Sequence, residues 1–483
     1  MEPAYDAIVV GSGPNGLAAA LALAEEGLST LVIEAHDEPG GGTRTLEMTA
    51  PGFHHDVCST VHPLGVASPW LRALELEKHG LEWIHPRAPL AHIVGDRVVT
   101  LERSLDETCA QLGRDGREYR DLMAPFVDSF GELVRDSLAP LRPPESPLLF
   151  ARFGLHALRS LQGLARRFEE PYAPALLAGI AAHAMVPLDQ LATASFGLIL
   201  AAAGHAVGWP VARGGSRAIT NAMVAKLRAM GGEVVCGQRV TSLDELPVAR
   251  AYLLDVTPKQ LVAIAGDRLP SSYREKMADY RYGLGVFKMD WALREAVPWR
   301  DPRCARAATV HLSGTMDDVS AAEAAAHAGG VAERPFILFV QPTLFDPSRA
   351  PANRHIAWAY CHVPPRWTGD ASTLVEEHVE AYAPGFRETI LARTTMGPAQ
   401  MEAYNANYVG GDIGGGISDL RQLFFRPAPK LDPYATPARD IFLCSSSTPP
   451  GGGVHGMCGY WAARSALRRV FDQDPPPLAR AKL

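Results

Sequence analysis

Six consecutive residues, Gly11-Ser12-Gly13-Pro14-Asn15-Gly16, have the types and spacing to hold a pyrophosphate. Gly11 permits a tight turn, Gly13 lets a phosphate approach the backbone, and Gly16 lets the next helix pack closely on the preceding strand. Pro14 and Asn15 stand at the start of that helix, whose first N–H groups and positive dipole end would face the anion. Glu34 ends the following strand, roughly 20 residues on, where a carboxylate accepts hydrogen bonds from ribose hydroxyls. The motif alone does not choose between nicotinamide and flavin dinucleotides.

The next residues bear on that choice. Gly40-Gly41-Gly42-Thr43-Arg44-Thr45 follows the acid-ending strand. Here the sequence resembles the flavoprotein superfamily of phytoene desaturases, carotenoid isomerases, amine oxidases and Rab GDP-dissociation inhibitors. These proteins carry a Gly-Gly loop and a nearby Arg at this place. The resemblance implies FAD as cofactor, with Gly41, Gly42 and Arg44 along its pyrophosphate. It recurs in Gly52-Phe53 with Asp56, and in Gly214-Gly215-Ser216 through Gly231-Gly232 to Val240, whose backbone would meet adenine.

Arg426-Pro427 and the run from Leu443 to Gly456 are similar to the phytoene-desaturase type of ending. This implies a turn containing Gly453, Val454 and Gly456 against the isoalloxazine ring. A helix N-terminus would then lie on the side where reduced flavin carries negative charge. Relatives often have Gly-Asp or Gly-Glu after the last strand. This chain has Ser445-Ser446, so the hydroxyl of Ser446 would stand in for the acid in a noncovalent complex.

His54, His55, His62, His455, Cys458 and Tyr460 lie in segments that the family brings near the flavin. His455 is the first catalytic candidate because it sits within the ring-facing turn, and His62 is the second. An imidazole there could orient substrate or tune the ring. The implied activity is FAD-dependent desaturation or dehydrogenation of a largely apolar small molecule by hydride transfer to flavin N5. Electrons would pass to oxygen, a quinone or another acceptor. A flavin-dependent isomerase, an amine oxidase, or a non-catalytic lipid- or protein-binding protein like the GDP-dissociation inhibitors are the alternatives on the same scaffold.

The elements that must position these residues follow from periodicity and punctuation. Strands are expected at Asp6 to Val10 and Thr30 to Ile33, around a helix from Asn15 to Glu26 stopped by Gly27. A second unit has a helix from Ala218 to Met230 and strands at Glu233 to Cys236 and Ala251 to Asp255. Residues 71 to 211 read as mainly helical. Strand patterns return at Val286 to Trp291, Thr309 to Leu312, Pro335 to Gln341 and His355 to His362. A helix is expected from Ser372 to Leu391, a strand from Asp440 to Cys444, and a last helix from about Val454 to Val470.

The expected fold class is therefore α/β. A Rossmann-like FAD-binding domain is assembled from residues 1–70, 212–285 and 435–483. An α+β substrate domain, with a mixed sheet and a helical insertion, takes 71–211 and 286–434.

Composition narrows the partners. In 483 residues, 46 Lys+Arg against 53 Asp+Glu leave a net charge of -7 and no basic excess for a nucleic-acid backbone. The seven cysteines are scattered without a C-x-x-C pair, so reduced thiols and a cytoplasmic setting are expected. No metal is expected, because the sixteen histidines show no ligand spacing and His54-His55 diverge on a strand. No signal peptide is expected at the N-terminus. Tyr172 to Leu188 and Leu191 to Gly204 are the most apolar stretches, yet each falls short of the roughly 20 residues of a membrane span. The substrate is expected to be small and apolar, with oligomeric state and peripheral membrane contact left open.

Overall fold

The computed structural model describes residues 3–478 and is organised around two sheets. The first is parallel throughout and runs, edge to edge, Ile441–Leu443, Ala249–Leu254, Tyr5–Val10, Thr30–Ile33 and Glu233–Val235. Its central strand is apolar at every position from Ala7 to Val10 because both faces are covered. Ala7 and Val9 pack under the helix Pro14–Glu25, while Ile8 and Val10 join Leu261 of the helix Pro258–Ala265 on the other face.

The helix Met457–Val470 crosses Pro14–Glu25 at contact distance. Gly459 makes this crossing possible, since a Cβ there would overlap the Asn15 carbonyl.

The second sheet is mixed and runs Ile390–Met396, Gly285–Leu293, His355–Val363, Ile337–Val340, Ala307–Leu312, Ala88–Val94 and Arg97–Leu101. Only the Ala307–Leu312 and Ala88–Val94 pair is parallel. The helices Tyr172–Ala181 and Thr193–Ala206 pack on each other beneath it, almost wholly buried.

Three sequence expectations are corrected. The stretch 71–211 contains the hairpin Ala88–Val94 and Arg97–Leu101. Ala88–Val94 is buried at every residue, so it lacks the alternation that marks a half-buried strand. The helix from Ser372 ends at Tyr382, where Pro384 and the left-handed Gly385 (φ 89°) break it, and Ile390–Met396 is an edge strand. The last helix starts at Met457 rather than Val454, because Gly456 caps it in the left-handed region (φ 67°).

Among the described residues no helix is long and apolar enough to cross a membrane. Nor does any group of three or more His, Cys, Asp or Glu side chains among them have metal-holding geometry.

Candidate functional site

A continuous cavity of about 820 Å³ runs from the carboxyl ends of the parallel strands into the space between that sheet and the helical layer. Its first end is built by the glycine loop. Gly11 turns the chain with φ +100°, and a Cβ on Gly16 would overlap the Gly11 carbonyl oxygen, so the helix can start this close to the strand only without a side chain. Gly41 packs directly against Gly13: a Cβ on Gly41 would lie 3.0 Å from the Gly13 Cα, and both residues border the cavity. The two glycine loops thus form a cradle lined by bare backbone.

Glu34 closes this end. Its Oε2 accepts the Ser12 N–H at 2.9 Å and the Ser12 hydroxyl at 2.6 Å, and its Oε1 accepts the His36 N–H at 2.9 Å and lies 2.8 Å from the Arg44 guanidinium. Burial alone would raise the carboxyl, but the Ser12 hydroxyl, Arg44 and the two N–H groups hold it below its ordinary value.

Asp255, which sequence reasoning did not single out, stands directly beneath the loop. Its Oδ2 accepts the Gly16 N–H at 2.9 Å, and a Cβ on Gly13 would come within 2.8 Å of the same oxygen. Gly13 is therefore required by the protein itself, not only by an approaching phosphate. Burial pushes the Asp255 carboxyl up to about 7, the Gly16 N–H opposing and the Glu34 charge reinforcing the shift. Asn407, 152 residues further along the chain, fastens this segment. Its Nδ2 donates to the Asp255 carbonyl at 3.1 Å and its Oδ1 accepts the Thr257 N–H at 2.9 Å.

The far side of the channel is the turn Gly451-Gly452-Gly453-Val454. Arg426 is buried behind it and donates to the carbonyls of Gln422, Ser446 and Ile417 at 2.9, 3.0 and 3.2 Å. Ser445 and Ser446 both border the cavity, and the Ser445 hydroxyl donates to the Val256 carbonyl at 2.6 Å.

His455 is buried and its Nδ1 accepts the Met457 N–H at 3.0 Å, which makes it a cap on the last helix in the Nε2–H tautomer. Burial pushes it down to about 4 against the pull of the Gly451 and Gly452 carbonyls. His62 is held likewise. Ser216 donates its hydroxyl proton to the Ser59 carbonyl, so it must accept from His62 Nε2–H at 2.8 Å, and His62 Nδ1 is left without a partner. Burial pushes His62 down to about 4 as well.

Below this wall Asp56 collects the Thr45 and Thr60 hydroxyls at 2.7 Å each and the Ser216 N–H at 2.9 Å, and pairs with Arg349 at 3.0 Å. Beside it, Lys288 donates to Asp290, while His55 Nδ1 lies 3.3 Å from the other Asp290 oxygen; all three side chains are buried. The Lys288 ammonium stands 4.9 Å from the centre of the Trp358 ring, which forms part of the cavity wall.

The inner chamber is apolar, walled by Trp358, Tyr360, Leu338, Val340, Trp209 and Phe196. Trp358 and Tyr360 stack with their planes 20° apart. The second of the two most apolar stretches, in the helix Thr193–Ala206, supplies Phe196, Ile199 and Leu200 to this wall.

Of the residues singled out from sequence, Gly11, Gly13, Pro14, Asn15, Glu34, Gly41, Gly42, Arg44, Val240, Ser446, Gly453, Val454, His62 and His455 all border this one cavity. Gly16 and Gly456 stand behind its wall; a Cβ on Gly456 would meet Ala18 at 2.9 Å, so its role is helix packing. The signal for Asp255 was present only as an acid ending a buried strand. Arg426 was marked by its place in the Arg-Pro pair, and nothing local announces Asn407.

Residues 9–74 match the NAD(P)-binding Rossmann-like domain family. The chain is 25% identical to mouse pyridine nucleotide-disulfide oxidoreductase domain-containing protein 2, covering 97% of this chain and 94% of that protein. It is 22% identical to a lycopene-forming phytoene desaturase of a Paracoccus strain, covering 94% and 95%. Among solved structures it resembles an oxidoreductase from Methanosarcina mazei (TM-score 0.64, 14% identity, 96% and 99% covered). It also resembles cyclohexylamine oxidase from Brevibacterium oxydans (TM-score 0.58, 16% identity, 97% and 99% covered). The chain therefore has a Rossmann-like domain joined to a mixed-sheet domain, the fold of the oxidoreductases that it resembles.

Proposed function

We propose that this chain is an FAD-dependent oxidoreductase that removes hydrogen from a largely apolar small molecule. The observation that carries this reading is the continuity of one cavity from the Glu34 and Val240 end, between two glycine loops, to an aromatic and aliphatic chamber. The side-chain-free cradle of Gly11, Gly13, Gly41 and Gly42 fits a pyrophosphate, and Arg44 adds a buried cation beside it. In this reading Glu34 binds the ribose, Val240 borders adenine, and Ser446, Gly453 and Val454 flank the ring. When bound, the flavin supplies a two-electron acceptor at the chamber.

The protein's own groups then bind, orient and exclude water. The Gly451 to Val454 turn brings backbone to the ring, and Arg426 places a buried positive charge behind that turn. His62 and His455 stay neutral near pH 7 and act as positioning residues. The chamber suits an apolar substrate, because Trp358, Tyr360, Leu338, Val340, Trp209 and Phe196 wall it. Asp136 and Asp412, which border the same cavity, accept backbone N–H groups: those of Glu145 and Ser146, and those of Gly283, Gly414 and Gly416.

In this reading the described residues divide into a cofactor domain of 3–70, 212–285 and 435–478 and a substrate domain of 71–211 and 286–434. The absorption spectrum of the purified protein tests the reading. A flavin spectrum, present or restored by added FAD, supports it; a preparation that stays colourless with FAD overturns it.

A further inference from the structure

Five large apolar side chains stand exposed between residues 141 and 191: Leu141 (62%), Leu148 (89%), Leu155 (75%), Leu158 (48%) and Leu191 (58%). They belong to one face. The helix Pro147–Ala157 turns Leu148, Ala151, Arg152 and Leu155 outward, the spacing of a single helical stripe, while its opposite side, with Phe153 and Ala157, lines the cavity. Leu191 joins the patch because the Ala192 N–H donates to the Leu158 carbonyl at 3.1 Å. Leu141 and Leu158 are both exposed and on the cavity wall, so the patch is the rim of the mouth.

Exposed apolar area of this kind is unusual on a free surface and marks a contact. The charges around it choose the partner. Arg152, Arg159 and Arg166 are exposed in the same stretch as the leucines and carry no ion pair among the described residues. The acids at the rim are Glu145, which pairs with Arg142 and Arg135, Glu132, which accepts the Ser146 hydroxyl, Asp136, which accepts the Glu145 and Ser146 N–H groups, and Asp189; the three arginines thus keep their charge unpaired. A second copy docked by two-fold symmetry would bring two sets of these arginines into one interface and supply no added acid to pair them. A surface of apolar chains beneath phosphates satisfies both the leucines and the arginines.

We propose that this face docks on an anionic lipid bilayer, with Leu148 and Leu155 entering the headgroup boundary and Arg152, Arg159 and Arg166 meeting lipid phosphates. An apolar substrate then passes from the bilayer into the cavity between Leu141 and Leu158; this passage, unlike the docking, rests on the function proposed above.

The test is sedimentation of the flavin-loaded protein with vesicles of phosphatidylcholine, alone or mixed with phosphatidylglycerol, beside the Leu148→Asp/Leu155→Asp variant. Neither leucine lines the cavity, so flavin content reports intact folding. The wild type is expected to bind the anionic vesicles more tightly than the neutral ones, and the variant to bind at least about tenfold more weakly. A Leu155→Trp variant should gain fluorescence that brominated acyl chains quench.

Wild-type protein left in the supernatant with both vesicle types would overturn the proposal, as would equal binding by the variant. So would a wild-type dimer, without vesicle binding, that the variant dissociates, since the face would then be a self-interface. Vesicle binding by a protein that stays colourless with FAD would sustain the docking and remove the proposed function.

Discussion

Gly16 and Asp255, 239 residues apart, are joined by a 2.9 Å hydrogen bond from the Gly16 N–H to Asp255 Oδ2. An N–H at the start of the helix, of the kind that a phosphate would use, is thus already engaged by a carboxyl group of the protein. The cradle is anionic or neutral according to the state of that one residue.

This sets a pH dependence. The Asp255 carboxyl is raised from 3.8 to about 7, so the folded state keeps a proton that the unfolded chain releases. The resulting destabilisation is absent below about pH 4, grows as pH rises, and is complete above about pH 7. Asp255→Asn should therefore stabilise the apoprotein at pH 8, with a gain that shrinks on acidification. Each pH unit between the two limits is worth ~1.4 kcal/mol, so the gain is a few kcal/mol at most. Denaturant unfolding at pH 5 and pH 8 measures this, and FAD affinity should fall with rising pH in the wild type more than in the variant.

The buried histidines act in the opposite sense. His62, His92, His183, His205 and His455 are pushed down to about 4 by burial, and His311 lower still. Their unfolded forms titrate near 6.5, so the unfolded chain takes up protons first as pH falls. Stability is complete above pH 6.5 and is lost towards pH 4, at up to ~1.4 kcal/mol per pH unit for each group. Six such groups outweigh Asp255, and acid unfolding should be steep between those limits. Imidazole NMR signals of His62 and His455 should show the Nε2–H tautomer and no titration between pH 6 and 8.

Gly16→Ala should fail in the protein alone, before any ligand is considered. The added methyl overlaps the Gly11 carbonyl and lies 3.1 Å from Asp255 Cβ, so helix and strand must separate. A loss of about 3 kcal/mol or more is expected, with loss of bound flavin. A melting temperature within a degree or two of wild type would show that the loop relaxes freely.

Lys288 and Asp290 make a buried pair against Trp358, and removing Lys288 leaves Asp290 buried with only the His55 imidazole beside it. Lys288→Met should cost about 3–5 kcal/mol of stability, and the double variant Lys288→Met/Asp290→Asn much less. A double-mutant cycle on denaturant unfolding provides the comparison, and additive losses would show that the two side chains are uncoupled.

The glycine motif and Glu34 were legible because they lie within one βαβ unit, where spacing alone places them. Asp255 was not, since its partner Gly16 comes from a distant part of the chain. Lys288 and Asp290 carried a readable signal: two charges on one side of a strand with Phe287, Met289 and Trp291 on the other must pair if the strand is central. The hairpin at Ala88–Val94 was hidden because burial on both faces erases periodicity. His455 stands in the turn where it was expected, but its Nδ1 is committed to the Met457 N–H, a commitment that residue type cannot reveal.

The parallel sheet takes its outer strand from Ile441–Leu443 and one of its covering helices from Met457–Val470. A chain synthesised from its N-terminus exposes the glycine loop well before Ile441–Leu443 and Met457–Val470 leave the ribosome, and the pocket cannot close around the loop until then. Under the proposed function, cofactor capture must wait for both elements. A fragment ending before Leu443 would keep the dinucleotide signature while lacking the turn that completes the site, and would present open sheet edge and apolar helix to the quality-control machinery.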